Sequence, residues 1–142
     1  MTAKENLALI ERHIEAIASR DAEAFASDYA EDAVVRMAGV PDSLGGVLKG
    51  RWQIVDDFRR QPPRTIEIRQ MFADDSHVCA MAKVTSILGG TQFLRGSDHP
   101  YSAFECTTYR IAGRRIEEQT TYVNWLDVYV QTGLVELNSL TT

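Results

Sequence analysis

Between residues 64 and 126 the chain alternates long apolar, β-branched and aromatic runs with short turn signals, and this stretch limits what it can fold into. Four segments read as strands: residues 64–72, 77–88, 101–111 and 114–126. Asp74-Asp75 and Ala112-Gly113 supply hairpin turns between neighbours. Strands this long exceed the usual length and tend to bend. A bent sheet needs something to bend around, and the first half of the chain supplies it.

Thr2 and Glu5 have capping-box spacing, and Leu7, Ile10, Ile14 and Ile17 then mark one helical stripe. Asp21 opens a shorter helix through Phe25 and Tyr29, which the Glu31-Asp32 pair ends. A strand is expected over 33–38 and a loop over 40–46. A third helix spans about 51–60, with Ile54, Val55 and Phe58 inward and Pro62-Pro63 as its stop. A last helical turn begins near Asp127, and the 89–100 connection reads as a flexible lip. Helices gathered on one side of an antiparallel sheet define an α+β architecture. The expectation is one domain over residues 1–142, a strongly curved antiparallel sheet wrapped around three N-terminal helices, with an internal pocket.

Charge and cysteine usage exclude several classes. Net charge is −5, against the basic stripe of a nucleic-acid binder. The arginines between 51 and 69 alternate with acids and apolar residues and read as solvated surface. Cys79 and Cys106 stand apart from any CxxC or Cys/His cluster. They read as buried free thiols, with no metal site, in a cytoplasmic protein. No signal-peptide pattern opens the chain, and no apolar run is long enough to span a bilayer.

The run Ile10-Glu11-Arg12-His13-Ile14-Glu15-Ala16-Ile17, with Asp21 and then Tyr29-Ala30-Glu31-Asp32-Ala33-Val34-Val35, resembles the opening of the nuclear-transport-factor-2-like superfamily. Gly50 before Trp52-Gln53-Ile54 resembles its next signature. Asn124-Trp125-Leu126-Asp127, followed by Gln131-Thr132-Gly133, resembles the SnoaL-like polyketide cyclases and limonene-epoxide hydrolases. The resemblance covers nearly the whole chain. It implies a cone-shaped α+β barrel, a deep and mostly apolar pocket, and a homodimer formed through the sheet. It does not fix an activity, because members include isomerases, cyclases, hydrolases, dehydratases and binding domains.

Four residues are the catalytic candidates. His13 lies beside the first helix's stripe, where the resemblance to ketosteroid isomerases places a hydrogen-bonding tyrosine. Glu105 sits within Ala103-Phe104-Glu105-Cys106 and shares a face with Tyr101, Ala103, Thr107 and Tyr109 by alternation. Burial would keep it protonated as a hydrogen-bond donor, the part that a protonated aspartate plays in those isomerases. Asn124 stands where the cyclases and epoxide hydrolases carry an aspartate, and Tyr122 shares its face with Ile116, Glu118 and Thr120. Phe25, Tyr29, Met37, Trp52, Trp125 and Asp127 are candidate substrate contacts, Asp127 doubling as a helix N-cap.

Three features of the relatives are missing. Asn124 cannot exchange a proton at neutral pH. Met37 stands where the isomerase base would be, and Arg95-Gly96-Ser97 offers no Arg-x-Asp pair. Asp56-Asp57, Glu117-Glu118 and Ser97-Asp98-His99 read as charged faces and a polar turn. The resemblance implies a cofactor-free cyclase of secondary metabolism acting on an apolar polyketide-like substrate, and the missing aspartates favour chemistry that needs shape more than strong acid/base groups. A pericyclic, Diels–Alder-type closure by proximity and orientation fits that description. The alternatives are a non-catalytic binder of apolar ligands, or an acid/base isomerase using His13 and Glu105.

Overall fold

The computed structural model describes residues 1–90 and 95–138, so part of the expected 89–100 lip lies outside the described residues. The helices are α1 (Ala3–Ala18), α2 (Ala22–Ser27), α3 (Arg51–Arg60) and α4 (Trp125–Gln131). The strands are β1 (Tyr29–Met37), β2 (Val47–Lys49), β3 (Thr65–Ala73), β4 (His77–Leu88), β5 (Ser97–Ala112) and β6 (Arg115–Val123). They form one sheet in the order β2-β1-β6-β5-β4-β3. All neighbours are antiparallel except β1 and β6, which run parallel. The α+β architecture expected from the sequence is present, with α1 to α3 against one side of the sheet and α4 at its end.

The capping box forms: Thr2 Oγ1 accepts the Glu5 N–H at 3.1 Å, and Glu5 Oε2 accepts the Thr2 N–H at 2.9 Å. The buried face of α1 is not centred where the aliphatic stripe places it. It consists of Asn6, Leu9, Ile10, His13, Ala16 and Ile17, while Leu7 and Ile14 are only half-buried. Two polar residues belong to the inner face, and a purely hydrophobic reading turns the helix away from them. Asn6 explains its place by donating Nδ2–H to the Asp74 carbonyl at 3.0 Å, which pins α1 to the β3–β4 turn.

Helix α2 ends at Ser27 and β1 starts at Tyr29, four residues earlier than expected. The Asp28 carbonyl accepts the Ile116 N–H at 2.7 Å, and Tyr29 pairs with Ile116. Pairing with a strand some ninety residues away overrides the local helical pattern. The expected loop over 40–46 contains a short 3₁₀ turn, Asp42–Leu44, and is followed by β2, which the sequence reading missed.

Irregularities in pairing bend the sheet. In β6 the register slips between Arg110 opposite Glu118 and Ile111 opposite Ile116, leaving Glu117 as the extra residue. This bulge separates Ile116, fully buried, from Glu118, Thr120 and Tyr122, which lie on the outer face. The expected single face from Ile116 to Asn124 is therefore split. Arg110 holds both Glu117 and Glu118, which accounts for the adjacent acids.

The helix-facing side of β4 carries Val78, Ala80, Ala82 and Val84, all buried, and that of β5 carries Ala103, Thr107, Tyr109 and Ile111. Cys79 and Cys106 lie on the other side and are half-buried, with their sulfurs 3.6 Å apart. The sequence reading placed them in the core, because alternation within a run does not say which face is inward.

The β5–β6 hairpin turns on Gly113 and Arg114, whose φ values are 57° and 63°. Two consecutive positive φ values match a type I′ turn, which favours Asn or Gly at both positions and strains arginine. Arg114→Asn is expected to stabilise the fold by about 0.5–1 kcal/mol, read as a raised midpoint in thermal unfolding. Arg114→Val should lower it.

Candidate functional site

A buried chain of polar side chains crosses the junction of α1, α2, β1 and β6. His13 is fully buried on the inner face of α1. Its Nδ1 lies 2.9 Å from Asp28 Oδ2, and its Nε2 lies 3.2 Å from the Tyr29 hydroxyl. The Tyr29 hydroxyl in turn lies 2.6 Å from Gln119 Oε1. Asp28 is the residue that closes α2, Tyr29 opens β1, and Gln119 projects from β6 opposite Tyr109 and Val35. Aromatic rings surround the imidazole. Phe25 stacks on it with ring centres 4.9 Å apart, and Tyr29 and Tyr109 meet it edge-on. Phe58 stacks behind Phe25 at 4.1 Å.

Burial is the largest influence on His13 and lowers its pKa below 6.5, against the opposing pull of the Asp28 carboxylate. The ring is therefore held neutral at neutral pH. Both its nitrogens are bonded within the protein, so it does not meet a substrate directly. The sequence places this histidine beside the apolar stripe of the first helix; it is instead at the centre of the inner face. A residue in this position acts on the concave surface only through Tyr29 and Gln119.

A second group of ionisable side chains lies on the helix-facing side of β5. Ala103, Thr107 and Tyr109 alternate with Glu105 on that side and are buried. Burial raises the pKa of Glu105, and the charge of Arg64 only partly offsets this. Burial likewise raises Tyr101 and Tyr109, and the Glu105 charge adds to both effects. The field of Arg64 reaches Glu105, Tyr101, Tyr109, Tyr29 and His13. Arg64 is thus the cation shared by both groups. The sequence reading assigned it to a solvated surface, and the proline pair ahead of it gave no sign of which way it would turn.

The remaining candidates are scattered. Phe25 and Tyr29 are buried beside His13, and Met37 is half-buried at the end of β1. Trp52 is 65% exposed on the first turn of α3 and Tyr122 is 52% exposed on the outer face, so neither joins the buried groups. Asn124 is the N-cap of α4, its Oδ1 accepting the Asp127 N–H at 3.2 Å. The cap expected of Asp127 is therefore made three residues earlier, and Asp127 sits in the first turn. Trp125 donates Nε1–H to the Ala38 carbonyl at 3.2 Å, tying α4 to the end of β1. Asp28, Arg64 and Gln119 were missed in the sequence, because single polar residues carry no periodic signal.

The concave side is packed where His13 lies, so the expected internal pocket does not extend into that end. Two surface depressions lie elsewhere. One, of about 380 Å³, is on the outer face between Arg69, Met81, Phe104, Cys106 and Tyr122, and Glu105 also borders it. The other lies beside α1 near Glu5, Arg12 and Arg114. Among the described residues no cluster of three or more His, Cys, Asp or Glu could hold a metal ion. No helix among them is long and apolar enough to cross a membrane.

The depressed His13 pKa sets an acid limit on stability. The unfolded chain takes up a proton near the ordinary value of 6.5, whereas the native state does so only at lower pH. The stabilisation is complete above the ordinary value and is lost as pH falls through the lowered one. Urea midpoints should drop between about pH 7.5 and about pH 5. In Asp28→Asn, which removes the partner favouring the imidazolium, the drop should extend to lower pH.

No curated protein matches the chain. An LEH-like epoxide hydrolase of M. tuberculosis superposes with a TM-score of 0.76 at 16% identity, over 93% of this chain and 92% of that one. A Xanthomonas campestris protein carrying the provisional name polyketide cyclase superposes with a TM-score of 0.79 at 18% identity, over 93% and 99%. An NTF2-like protein of Burkholderia xenovorans LB400 gives 0.73 at 14% identity, over 93% and 98%. At such identities the likeness establishes the cone-shaped fold. The model of the SnoaL-like domain matches residues 10–119, most of the chain. The chain belongs to the SnoaL-like domain family.

Proposed function

We propose that this protein is a cyclase of secondary metabolism acting on an apolar, polyketide-like substrate held against the concave side of the sheet. The observation that carries the reading is Glu105, whose pKa is raised by burial on the helix-facing side of the central strand. A carboxylic acid kept neutral there is a hydrogen-bond donor at pH values where an ordinary glutamate is an anion. Directed at a conjugated carbonyl, it withdraws electron density and lowers the barrier to closure of a chain already folded by the cavity wall. Tyr101, half-buried on the same strand, is a second donor. The names of the family and of the structural relatives support a small-molecule chemistry of this class.

Pericyclic closure fits this site better than acid/base cyclisation. The half-buried Glu105 carboxyl donates without needing to exchange its proton, and Asn124 is engaged in capping α4. The isomerase reading finds one favourable observation, the His13–Asp28 pair, but the closed hydrogen-bonding of that ring makes it a support rather than a base. On this reading no cofactor takes part, the protein is cytoplasmic, and it assembles as a homodimer through the outer face. Phe72, Met81, Phe104 and Tyr122 are exposed apolar side chains there that a partner would cover.

Purified protein incubated with linear polyene-containing polyketides should convert one of them to a cyclic isomer of the same mass. Glu105→Ala should lower kcat by roughly a hundredfold, the loss typical of a removed oxyanion donor, whereas Glu105→Gln keeps a donor and most of the rate. In the parent, the rate should fall as pH rises through the elevated Glu105 pKa, while Glu105→Gln stays level. Substrates left both unchanged and unbound would sink the proposal; binding without turnover would favour the ligand-carrier reading.

A further inference from the structure

Tyr29 has one hydroxyl proton, and the chain Asp28–His13–Tyr29–Gln119 must place it. As positioned, Tyr29 donates to Gln119 Oε1 at 2.6 Å. Nε2 of His13, 3.2 Å from the same hydroxyl, then needs its own proton to bond the Tyr29 oxygen. Nδ1 also needs one to face the Asp28 carboxylate at 2.9 Å. This arrangement is an imidazolium–carboxylate pair. Turning the Gln119 amide over gives a second complete arrangement with one proton fewer. Gln119 Nε2–H donates to the Tyr29 oxygen, Tyr29 donates to His13 Nε2, and Nδ1–H donates to Asp28. An amide's oxygen and nitrogen fill nearly the same space, so the heavy atoms need not move.

We propose that Gln119 is a specificity-determining residue whose amide orientation follows the protonation of His13. With the neutral ring, Gln119 presents its carbonyl to the concave side; with the charged ring, it presents its amino group. The site thus accepts a hydrogen bond from a ligand hydroxyl in one state and donates one to a ligand carbonyl in the other. Gln119 is half-exposed, and among the described residues Tyr29 is the only hydrogen-bond partner of its amide. Its second amide atom is therefore left without a hydrogen-bond partner among the described residues.

The groups acting on the ring come from each element around it. Asp28 at the end of α2 favours the charged form, and Tyr29 from β1 accommodates either. Tyr109 from β5 presents a ring edge. Arg64, ahead of β3, opposes a second positive charge, and burial opposes it further. The neutral arrangement accordingly holds at neutral pH, and the charged one is reached on acidification. The ligand class rests on the cyclase reading, whereas the coupling of ring to amide does not.

Two measurements on the full chain test this. Long-range ¹H–¹⁵N correlations should find the neutral His13 ring protonated on Nδ1. The Gln119 side-chain amide signals should then titrate with the His13 midpoint. In Tyr29→Phe, Gln119 should cease to follow while His13 still titrates. Gln119→Glu, which can only accept from Tyr29, should raise the His13 midpoint, and circular dichroism confirms that both variants fold. Binding of 1-naphthol, a donor, is then compared with that of 1-tetralone, an acceptor. Passing below the midpoint should shift their Kd ratio about tenfold towards tetralone, the worth of one hydrogen bond, and Gln119→Leu should abolish the shift. Gln119 signals indifferent to the His13 titration, or a neutral ring protonated on Nε2, would overturn the coupling. A ratio unaffected by Gln119→Leu would overturn its role in specificity while leaving the cavity reading intact. Coupling without binding of either probe would overturn the ligand role and count against the cavity as well.

Discussion

A buried imidazole at the centre of the first helix's inner face is what the surrounding structure is arranged to satisfy. An unpaired polar group in such a place costs a few kcal/mol, enough to consume much of a small domain's stability. Both nitrogens of His13 are therefore bonded, one to Asp28 and one to Tyr29. Those partners occupy the point where α2 gives way to β1, so the same two bonds that satisfy the ring also fix that junction. Tyr29 extends the connection to Gln119 on β6, and the parallel pairing of β1 with β6 starts at the same residue. One polar requirement in the core thus ties a helix, a junction and two strands together.

The aromatic packing has a second consequence. Phe25, Phe58, Tyr29 and Tyr109 close the inner end of the concave side around His13. The proposed chemistry would then fall to side chains further along β5 and β6, where Glu105, Tyr101 and Gln119 lie. Burial, which lowers the pKa of the histidine, also raises that of the glutamate. Desolvation favours the uncharged form of acid and base alike, and Arg64 is the charge both groups share.

The far end is held by different means. Gln131 exchanges two hydrogen bonds with the Ser102 backbone, at 2.9 Å each, and Ser97 donates to the Thr132 carbonyl at 2.9 Å. These contacts and the Trp125–Ala38 bond seat α4 across the start of β5 and the end of β1. Asn124, which a family resemblance places among the catalytic positions, serves this docking as its helix cap.

Much of the architecture was legible in the sequence because it is written in repeating patterns. Long alternating runs marked the strands, the bounds of α3 and β4 followed from their stops, and the capping box marked the start of α1. Glu105 was legible too, as an acid in phase with buried neighbours. Pattern failed where one residue breaks the phase. The bulge at Glu117 moved Tyr122 to the outer face, and a strand partner ended α2 early. It failed also for Asp28, Arg64 and Gln119, each an isolated polar residue whose role depends on what stands opposite. The sequence by itself determined the α+β fold, since periodicity and capping are local properties of the chain. Only the tertiary structure decided which polar groups meet, because a hydrogen bond between residues 13, 28 and 119 depends on register and on burial that no local segment contains.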